Sequence, residues 1–230
     1  MGRAIALAFA QEGANVAISA RTEADLRRTE IELARVGSQQ HVLAIPADLS
    51  VARDIRRVVR DTFNRFGQIG ILVTHMGFGP PGRPSEFNDE TIMTALEENF
   101  LSSIRFAREV IPYMKQQRWG RIVHLLPAIE RMSGRGRALS ATSQLALMGY
   151  SKSLANELAP FNITVNNLIS GPVETDFLTS SVENEAQESG KDFDALMRDT
   201  VTSVPMGRLG KPEEVGDLVA FLASERASFL

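Results

Sequence analysis

The sequence predicts an α/β protein in which a doubly wound parallel sheet has helices on both faces. This prediction rests first on residues 120–176, where two short apolar runs, 121–126 and 163–169, enclose a segment with apolar residues at helical spacing. It rests second on the alternation of such runs with amphipathic segments along the whole chain. Ligands of such sheets bind beyond the carboxyl ends of the strands, so functional side chains are expected near 126–131 and 170–175.

The spacing of apolar residues and the positions of helix-ending glycines predict the individual elements. Strands are predicted at 15–21, 41–48, 70–75, 121–126 and 163–169, and helices at 3–11, 24–36, 55–66, 89–117, 138–159 and from Pro212 onward. The inward face of the 89–117 helix is predicted to carry Ile92, Leu96, Phe100, Ile104, Ala107 and Ile111, and that of the last helix Val215, Leu218, Val219 and Leu222. This order indicates one Rossmann-type domain, 1–230, with a polar substrate lid at about 174–205.

Composition excludes several classes of function. A formal net charge of −3 gives no sign of the basic surface that nucleic-acid-binding proteins carry. The absence of cysteine excludes disulfides and thiolate metal sites. No apolar run approaches the roughly 20 residues that span a bilayer, and the three histidines show no metal-ligand spacing. We therefore expect a cytoplasmic protein without nucleic acid, membrane or metal partners.

Four distinctive segments extend over the whole chain: GRAIALAFAQEGANVAISAR, ADLS, NELAPFNITVNNLISGPVETD and VPMGRLGKPEEVGDLVAFLASERASF. Through them the sequence resembles the classical short-chain dehydrogenase/reductase family, particularly its 3-oxoacyl-acyl-carrier-protein reductase branch. The family opens with a central strand and a TGxxxGxG turn that holds a pyrophosphate, and only Gly2 matches that turn. The first and last family strands are absent from this chain, which indicates either a fragment or a rearranged sheet.

The resemblance also implies a cofactor site. Arg21 follows the second family strand, where relatives specific for NAD carry an acid, so it favours the 2′-phosphate of NADP over NAD. Asp48 matches an adenine-contacting acid, and Gly77 matches the glycine of the family's NNAG segment. Thr175 matches a nicotinamide-amide contact, with Gly171 before it as in relatives. The alternatives are a surface arginine at position 21 and a turn aspartate at position 48.

The catalytic positions that the resemblance implies are largely replaced. Asn99 matches the asparagine that positions a proton-relay water, although a buried asparagine that bends its helix is the alternative. Ser140 lies at the position of the family's tyrosine acid, Gln144 at that of its lysine and Pro127 at that of its serine. A serine hydroxyl is less acidic than a phenol, glutamine is uncharged and proline has no hydroxyl. Poor catalysis is expected.

Other polar groups of the chain could also meet a ligand. His75 and His124 lie near the carboxyl ends of two predicted strands, where either a ligand contact or a structural role is open. A charged loop, with Glu130, Arg131, Arg135 and Arg137, could bind an anionic substrate or be solvated.

Two hypotheses about function follow. The first is a weak NADP-dependent oxidoreductase that reduces a small carbonyl substrate or oxidises an alcohol. The second is a noncatalytic relative that binds a ligand or assembles with other subunits through the same fold. In both, the helix around Asn99 and the helix at 138–159 resemble the pair through which family members associate, so a homodimer or homotetramer is expected.

Overall fold

A computed structural model describes residues 1–75, 77, 79–128 and 137–230. Its strands are β1 (Val16–Ala20), β2 (Val42–Pro46), β3 (Ile71–His75), β4 (Gly120–Pro127) and β5 (Ile163–Ser170). Its helices are α1 (Gly2–Gln11), α2 (Glu23–Val36), α3 (Ala52–Phe66), α4 (Asp89–Leu96), α5 (Ser102–Gln117), α6 (Ala138–Leu158), α7 (Asp176–Ser189), α8 (Phe193–Thr202) and α9 (Pro212–Leu222). The charged loop lies outside the described residues except for Arg137.

All strand pairings are parallel, but the strands form two sheets rather than one. β1 pairs with β2, and β3, β4 and β5 pair in that order. β1 and β3 do not pair with each other, and both line a cavity of about 550 Å³. These two strands therefore do not rearrange into one continuous sheet.

The hydrophobic core lies on both faces of the β3–β4–β5 sheet. β4 is buried over almost its whole length, as expected for a central parallel strand. Ile122 packs with residues of α5 and α6 on one face, whereas Val123 and Leu125 pack with Ile5 of α1 and Val219 of α9 on the other. The described helices include none that is both long and apolar enough to cross a bilayer.

The predicted 89–117 helix is interrupted by one turn of π-helix, Glu97–Leu101, between α4 and α5. A π turn adds a residue and rotates the helix faces before and after it relative to each other. The predicted inward stripe is only partly correct, because Ala107 is the one residue of the six that is fully buried, and Ile104 and Ile111 are half-buried. The fully buried positions include Ala95, Asn99 and Ser103, whereas Ile92 and Leu96 are half-buried.

The predicted face of the last helix is also partly wrong. Leu218 is 43% exposed, and Gly216 is buried instead. The reason is the close approach of α9 to α1: a methyl group added at Gly216 would lie 2.9 Å from the carbonyl oxygen of Ala4. Because that oxygen belongs to a helix backbone, it cannot turn away.

We expect Gly216→Ala to destabilise the protein, because overpacking between two helix backbones costs about 1–3 kcal/mol. This exceeds the roughly 0.5–1 kcal/mol that alanine gains over glycine in a helix. Urea unfolding measures the change. Asp217→Ala is the control, since Asp217 is exposed on the same helix, and it is expected to be neutral or stabilising. Equal stability of Gly216→Ala and the parent chain would contradict the predicted clash.

Candidate functional site

The side chains singled out in the sequence lie around the carboxyl edge of the two sheets. Parallel strands bring their carboxyl ends to one edge, where the connecting loops form ligand sites. Arg21 follows β1, Gly77 follows β3, and Gly171 follows β5. The three catalytic candidates come from the helices beside this edge.

Asn99 lies within the π turn and is 2% exposed. Its Nδ2 donates a hydrogen bond to the carbonyl oxygen of Ala95 at 3.1 Å, and the hydroxyl of Ser143 donates to the same oxygen at 3.4 Å. A methyl group added at Gly77 would lie 3.5 Å from Asn99 Oδ1, so the loop after β3 approaches the amide closely. π turns are frequent at functional sites. The turn therefore presents a buried amide next to the loop that follows β3.

Ser140 and Gln144 lie one turn apart on the buried face of α6, and both are fully buried. The hydroxyl oxygen of Ser140 accepts a hydrogen bond from the backbone N–H of Gly79 at 2.8 Å. Gln144 Nε2 donates to the carbonyl oxygen of Pro127 at 2.6 Å, which ties α6 to the end of β4. Both side chains can bind a polar ligand atom, but neither is an acid or a base near neutral pH.

Gln144 keeps one acceptor free. Its Oε1 is buried and has no hydrogen-bond partner within residues 1–75, 77, 79–128 and 137–230. An unpaired buried carbonyl oxygen is costly, on the order of 1–3 kcal/mol. The atom is therefore suited to accept a hydrogen bond from a hydroxyl or amide group of a ligand.

Arg21 and Asp48 lie at the carboxyl ends of the paired strands β1 and β2. Arg21 is exposed, and in the described part of the chain it has no ion pair. Asp48 Oδ1 accepts hydrogen bonds from the hydroxyl and the backbone N–H of Ser50, at 2.7 and 3.0 Å. These bonds, and to a smaller extent the charge of Arg21, hold the pKa of Asp48 below its ordinary value. Asp48 thus also forms the turn before α3, and its other oxygen is not used by Ser50.

Gly2, Gly171 and Thr175 are placed near one another by α1 and the end of β5. Gly2 begins α1, whose preceding residue Met1 contacts Ser170, the last residue of β5. Gly171 is exposed, and a methyl group there would meet nothing within 4 Å. The hydroxyl oxygen of Thr175 accepts from the N–H of Leu178 at 3.2 Å and caps α7. A structural role for Thr175 therefore exists besides the predicted ligand contact.

The two histidines differ in their surroundings. His75 is exposed at the end of β3, whereas His124 is fully buried in β4, three residues before its end. His124 Nδ1 lies 2.6 Å from the hydroxyl oxygen of Thr74 on β3, and burial lowers its pKa to about 4. Of the two roles left open for His124, the structural one is favoured, because the continuous apolar run that forms β4 buries the ring within the sheet.

Sequence reasoning missed two features of this region. The first is the N–H of Gly79, which contacts Ser140 and could have been suspected only from the glycines after β3. The second is the π turn, for which the buried pair Ser102 and Ser103 beside Asn99 is the available signal. Their hydroxyl groups donate hydrogen bonds to the carbonyl oxygens of Glu98 and Asn99, four residues earlier in the same helical segment. Among the described residues, no three histidine or acidic side chains are grouped to hold a metal ion.

Known proteins resemble this chain along its whole length. A family model described as Enoyl-(Acyl carrier protein) reductase matches residues 1–230. The short-chain reductase protein NovJ of Streptomyces niveus is 30% identical over 230 residues, which are 100% of this chain and 85% of that protein. The 3-oxoacyl-[acyl-carrier-protein] reductase FabG of Vibrio cholerae is 29% identical, with coverage of 100% and 88%.

A solved structure supports the same relationship. L-sorbose reductase from Gluconobacter frateurii, complexed with NADPH and L-sorbose, superimposes with a TM-score of 0.91 at 28% identity, covering 99% of this chain and 87% of that one. The predicted α/β fold and the resemblance found in the sequence are thereby confirmed. The chain belongs to the short-chain dehydrogenase/reductase family of oxidoreductases.

Proposed function

We propose that this chain binds a nicotinamide cofactor, with NADP preferred to NAD, and slowly reduces a carbonyl substrate or oxidises an alcohol. The observation that carries the proposal is the grouping of Asn99, Ser140, Gln144 and the end of β4 beside the carboxyl edge of the sheet. A 3-oxoacyl thioester is the first substrate to test, because FabG of Vibrio cholerae is named for such a substrate. We further propose one cytoplasmic domain, 1–230, with α7 and α8 as its substrate lid.

The residues at the adenosine end fit NADP. Arg21 offers a guanidinium without an ion pair in the described ranges, and such a group binds a phosphate through two parallel hydrogen bonds. Asp48 Oδ2 has no part in the Ser50 hydrogen bonds and would accept a hydrogen bond from an adenine or ribose group. Gly2, at the positive end of α1, would face the pyrophosphate.

The nicotinamide ring supplies or accepts a hydride when the cofactor is bound. Gln144 Oε1 would accept a hydrogen bond from a ribose hydroxyl, and the hydroxyl of Ser140 would orient the substrate oxygen. Thr175 would contact the nicotinamide amide beside Gly171, and Gly77 would border the ring. Asn99 would hold a water through which a proton reaches solvent. No side chain in this group supplies a proton as a phenol next to a lysine does, so slow turnover is expected.

We expect the unmodified chain to bind NADPH more tightly than NADH, and Arg21→Asp to reverse the preference. The substitution removes the cation that pairs with the 2′-phosphate and places an acid where the ribose hydroxyls of NAD can donate to it. Fluorescence titration with each cofactor measures both affinities. Arg56→Asp on α3, an exposed site with the same change of charge, is expected to leave the ratio unchanged.

Three results of this titration would contradict the proposed cofactor preference, the proposed role of Arg21 or cofactor binding itself. Equal affinities in the unmodified chain would refute the NADP preference. A ratio that falls equally in Arg56→Asp would indicate a nonspecific effect of charge. Failure of both cofactors to bind would refute the proposal that this chain binds a nicotinamide cofactor.

A noncatalytic role is the second candidate, and one observation favours it. The polar groups at positions 140 and 144 are bonded to backbone groups of the protein itself, which resembles structural reinforcement of a site rather than preparation for proton transfer. The discriminating measurement is turnover at saturating NADPH. Binding without turnover would support this second candidate.

We also propose a homodimer or homotetramer formed through α4, α5 and α6. Leu145 on α6 and Met93 on α4 are exposed by 55% and 53%, so an apolar surface is available there. Leu145→Glu is expected to shift the chain towards monomer, as measured by light scattering at micromolar concentration. The matched control is Ile31→Glu, which changes a side chain of α2 that is 53% exposed. A monomeric parent chain would reject this assembly.

A further inference from the structure

Arg105 of α5 connects two parts of the candidate site, the turn after β2 and the π turn. Its Nη1 donates a hydrogen bond to the carbonyl oxygen of Ser50, in the turn after β2, at 2.8 Å. Its Nη2 lies 3.3 Å from Oε1 of Glu97, the first residue of the π turn. We propose that Arg105 is a positioning residue that holds the Asp48 carboxylate in place for the adenosine end of the cofactor, which rests on the proposed cofactor site.

The turn at 48–51 fixes the Asp48 carboxylate only relative to its own neighbours. Asp48 Oδ1 accepts hydrogen bonds from the hydroxyl and the N–H of Ser50. The carbonyl oxygen of Asp48 accepts from the N–H of Val51 at 3.1 Å. All of these bonds join residues within the turn, so they would persist if the turn moved as a unit. The position of the carboxylate in the molecule therefore depends on contacts that reach outside residues 48–51.

Contacts of this kind come from α3 and from α5. The N–H of Asp48 donates to Oδ2 of Asp54, in the first turn of α3, at 3.0 Å. Arg105 provides the contact from α5, 55 residues beyond Ser50 in the chain. Each of these hydrogen bonds includes one charged group, and such bonds are stronger than those between neutral groups. Loss of Arg105 is therefore expected to release one of the attachments that fix the turn.

The surroundings of Arg105 keep its guanidinium in one place. The side chain is only 20% exposed. The Glu97 carboxylate beside Nη2 limits the rotation of the long side chain, because the planar guanidinium binds acceptors in a fixed geometry. Val110 of α5 and Val59 of α3 belong to one buried core cluster, so the helix that carries Arg105 is packed firmly. The guanidinium thus holds the turn at a defined position relative to α5.

A second explanation is that Arg105 attracts the cofactor phosphates by its charge alone. Arg108 lies three residues further along α5 and is exposed, so it provides the matched control. Arg105→Gln and Arg108→Gln each remove one positive charge from the same helix and leave an amide of similar length. An effect that occurs only at position 105 is attributed to its hydrogen bond, whereas an effect shared by both variants is attributed to charge.

The first measurement requires no cofactor. Amide hydrogen exchange followed by NMR reports how often the hydrogen bond between the Ser50 N–H and Asp48 opens. In Arg105→Gln, exchange at Ser50 is expected to become about tenfold faster, because a hydrogen bond from a charged donor stabilises by about this factor or more. Exchange at Ile122, in the buried strand β4, reports global unfolding and is expected to stay unchanged. Arg108→Gln is expected to change neither rate.

The second measurement uses adenosine 2′,5′-bisphosphate, which has the adenosine and the 2′-phosphate of NADP but no nicotinamide. Isothermal titration calorimetry gives its Kd for the unmodified chain, Arg105→Gln, Asp48→Ala and the variant with both changes. Arg105→Gln alone is expected to weaken binding by about tenfold. In a chain that already carries Asp48→Ala, the same substitution is expected to weaken binding by roughly twofold or less, because the carboxylate that Arg105 positions is gone.

Four results would overturn the positioning role. Unchanged exchange at Ser50 in Arg105→Gln would mean that the turn is held without Arg105. Equal acceleration at Ser50 and Ile122 would indicate a loss of global stability. Equal weakening of bisphosphate binding by Arg105→Gln and Arg108→Gln would indicate an effect of charge. Equal weakening by Arg105→Gln with and without Asp48→Ala would mean that Arg105 acts independently of Asp48.

The two measurements also separate a failure of this role from a failure of the proposed function. If the unmodified chain does not bind the bisphosphate, the proposed adenosine site is refuted together with the cofactor role of Arg105, even where exchange at Ser50 depends on Arg105. If the bisphosphate binds and exchange at Ser50 does not depend on Arg105, the positioning role is refuted and the proposed cofactor site is left intact.

Discussion

The triple variant Ser140→Tyr, Gln144→Lys, Pro127→Ser is expected to reduce a 3-oxoacyl thioester about 10²–10⁴-fold faster than the unmodified chain at saturating NADPH, the range typical of positioned acid–base catalysis. The three positions lie together in the structure, since Gln144 contacts the carbonyl of Pro127 and Ser140 lies one turn away on α6. A lysine beside a phenol lowers the pKa of the phenol, and a serine at position 127 would hold the substrate oxygen. Ser140→Tyr alone should recover little, because the groups act as a unit.

The matched control carries phenylalanine instead of tyrosine at position 140, with lysine and serine kept at the other two positions. It has nearly the same bulk but no hydroxyl, so it separates proton transfer from changes of packing. Ser140 is fully buried, and either ring must displace the loop at Gly79. Urea unfolding of both variants measures this cost. Equal rates for the two triple variants would refute the role of the phenol.

A fast unmodified chain would also contradict this interpretation. Turnover within about tenfold of ordinary enzyme rates, roughly 10 per second, would require another acid. His75 is then the first residue to replace, because it is exposed at the end of β3, whereas His124 has no access to solvent. His75→Gln would lower the rate only if this histidine supplied the proton.

Sequence patterns predicted the central β4–α6–β5 unit well because its elements depend on local features. An apolar run too short for an amphipathic helix gave β4, observed at Gly120–Pro127, and helical spacing gave α6, observed at Ala138–Leu158. The π turn and the burial of Gly216 were missed. Gly216 is buried where α9 closely approaches the backbone of α1, and apolar spacing carries no signal for such a contact or for a π turn.

The candidate site was predictable in its side chains but not in their partners. The four-residue spacing of Ser140 and Gln144 places both on one face of a helix. Their hydrogen bonds go to the N–H of Gly79 and the carbonyl of Pro127, which are backbone groups distant in sequence. Every residue has such groups, so only the packing of α6 against two loops selects these partners. The roles of Gly2, Arg21, Asp48, Gly77, Gly171 and Thr175 as cofactor contacts stay predictions.

The buried histidine of β4 is expected to make the stability of this protein strongly dependent on pH. His124 is neutral in the folded state, because burial lowers its pKa from 6.5 to about 4. Its Nδ1 is paired with the Thr74 hydroxyl, and its Nε2 is buried with no partner in the described part of the chain. As the pH falls below about 6.5, the unfolded chain binds a proton at this position while the folded chain does not.

The part of the free energy of unfolding that depends on a neutral His124 is thus fully present above pH 6.5. It is lost progressively as the pH falls towards 4. The pKa of His124 differs by about 2.5 between the unfolded and the folded chain, and each pKa unit corresponds to roughly 1.4 kcal/mol. Only part of this difference has taken effect at pH 5, so the free energy of unfolding is expected to fall by about 2 kcal/mol between pH 7 and pH 5. Urea unfolding at both pH values measures it. The variant His124→Asn does not titrate here, so its free energy of unfolding should fall by about 2 kcal/mol less than that of the parent chain. Equal losses in the two proteins, or an NMR signal showing that the His124 ring is protonated in the folded state at pH 5, would contradict the prediction.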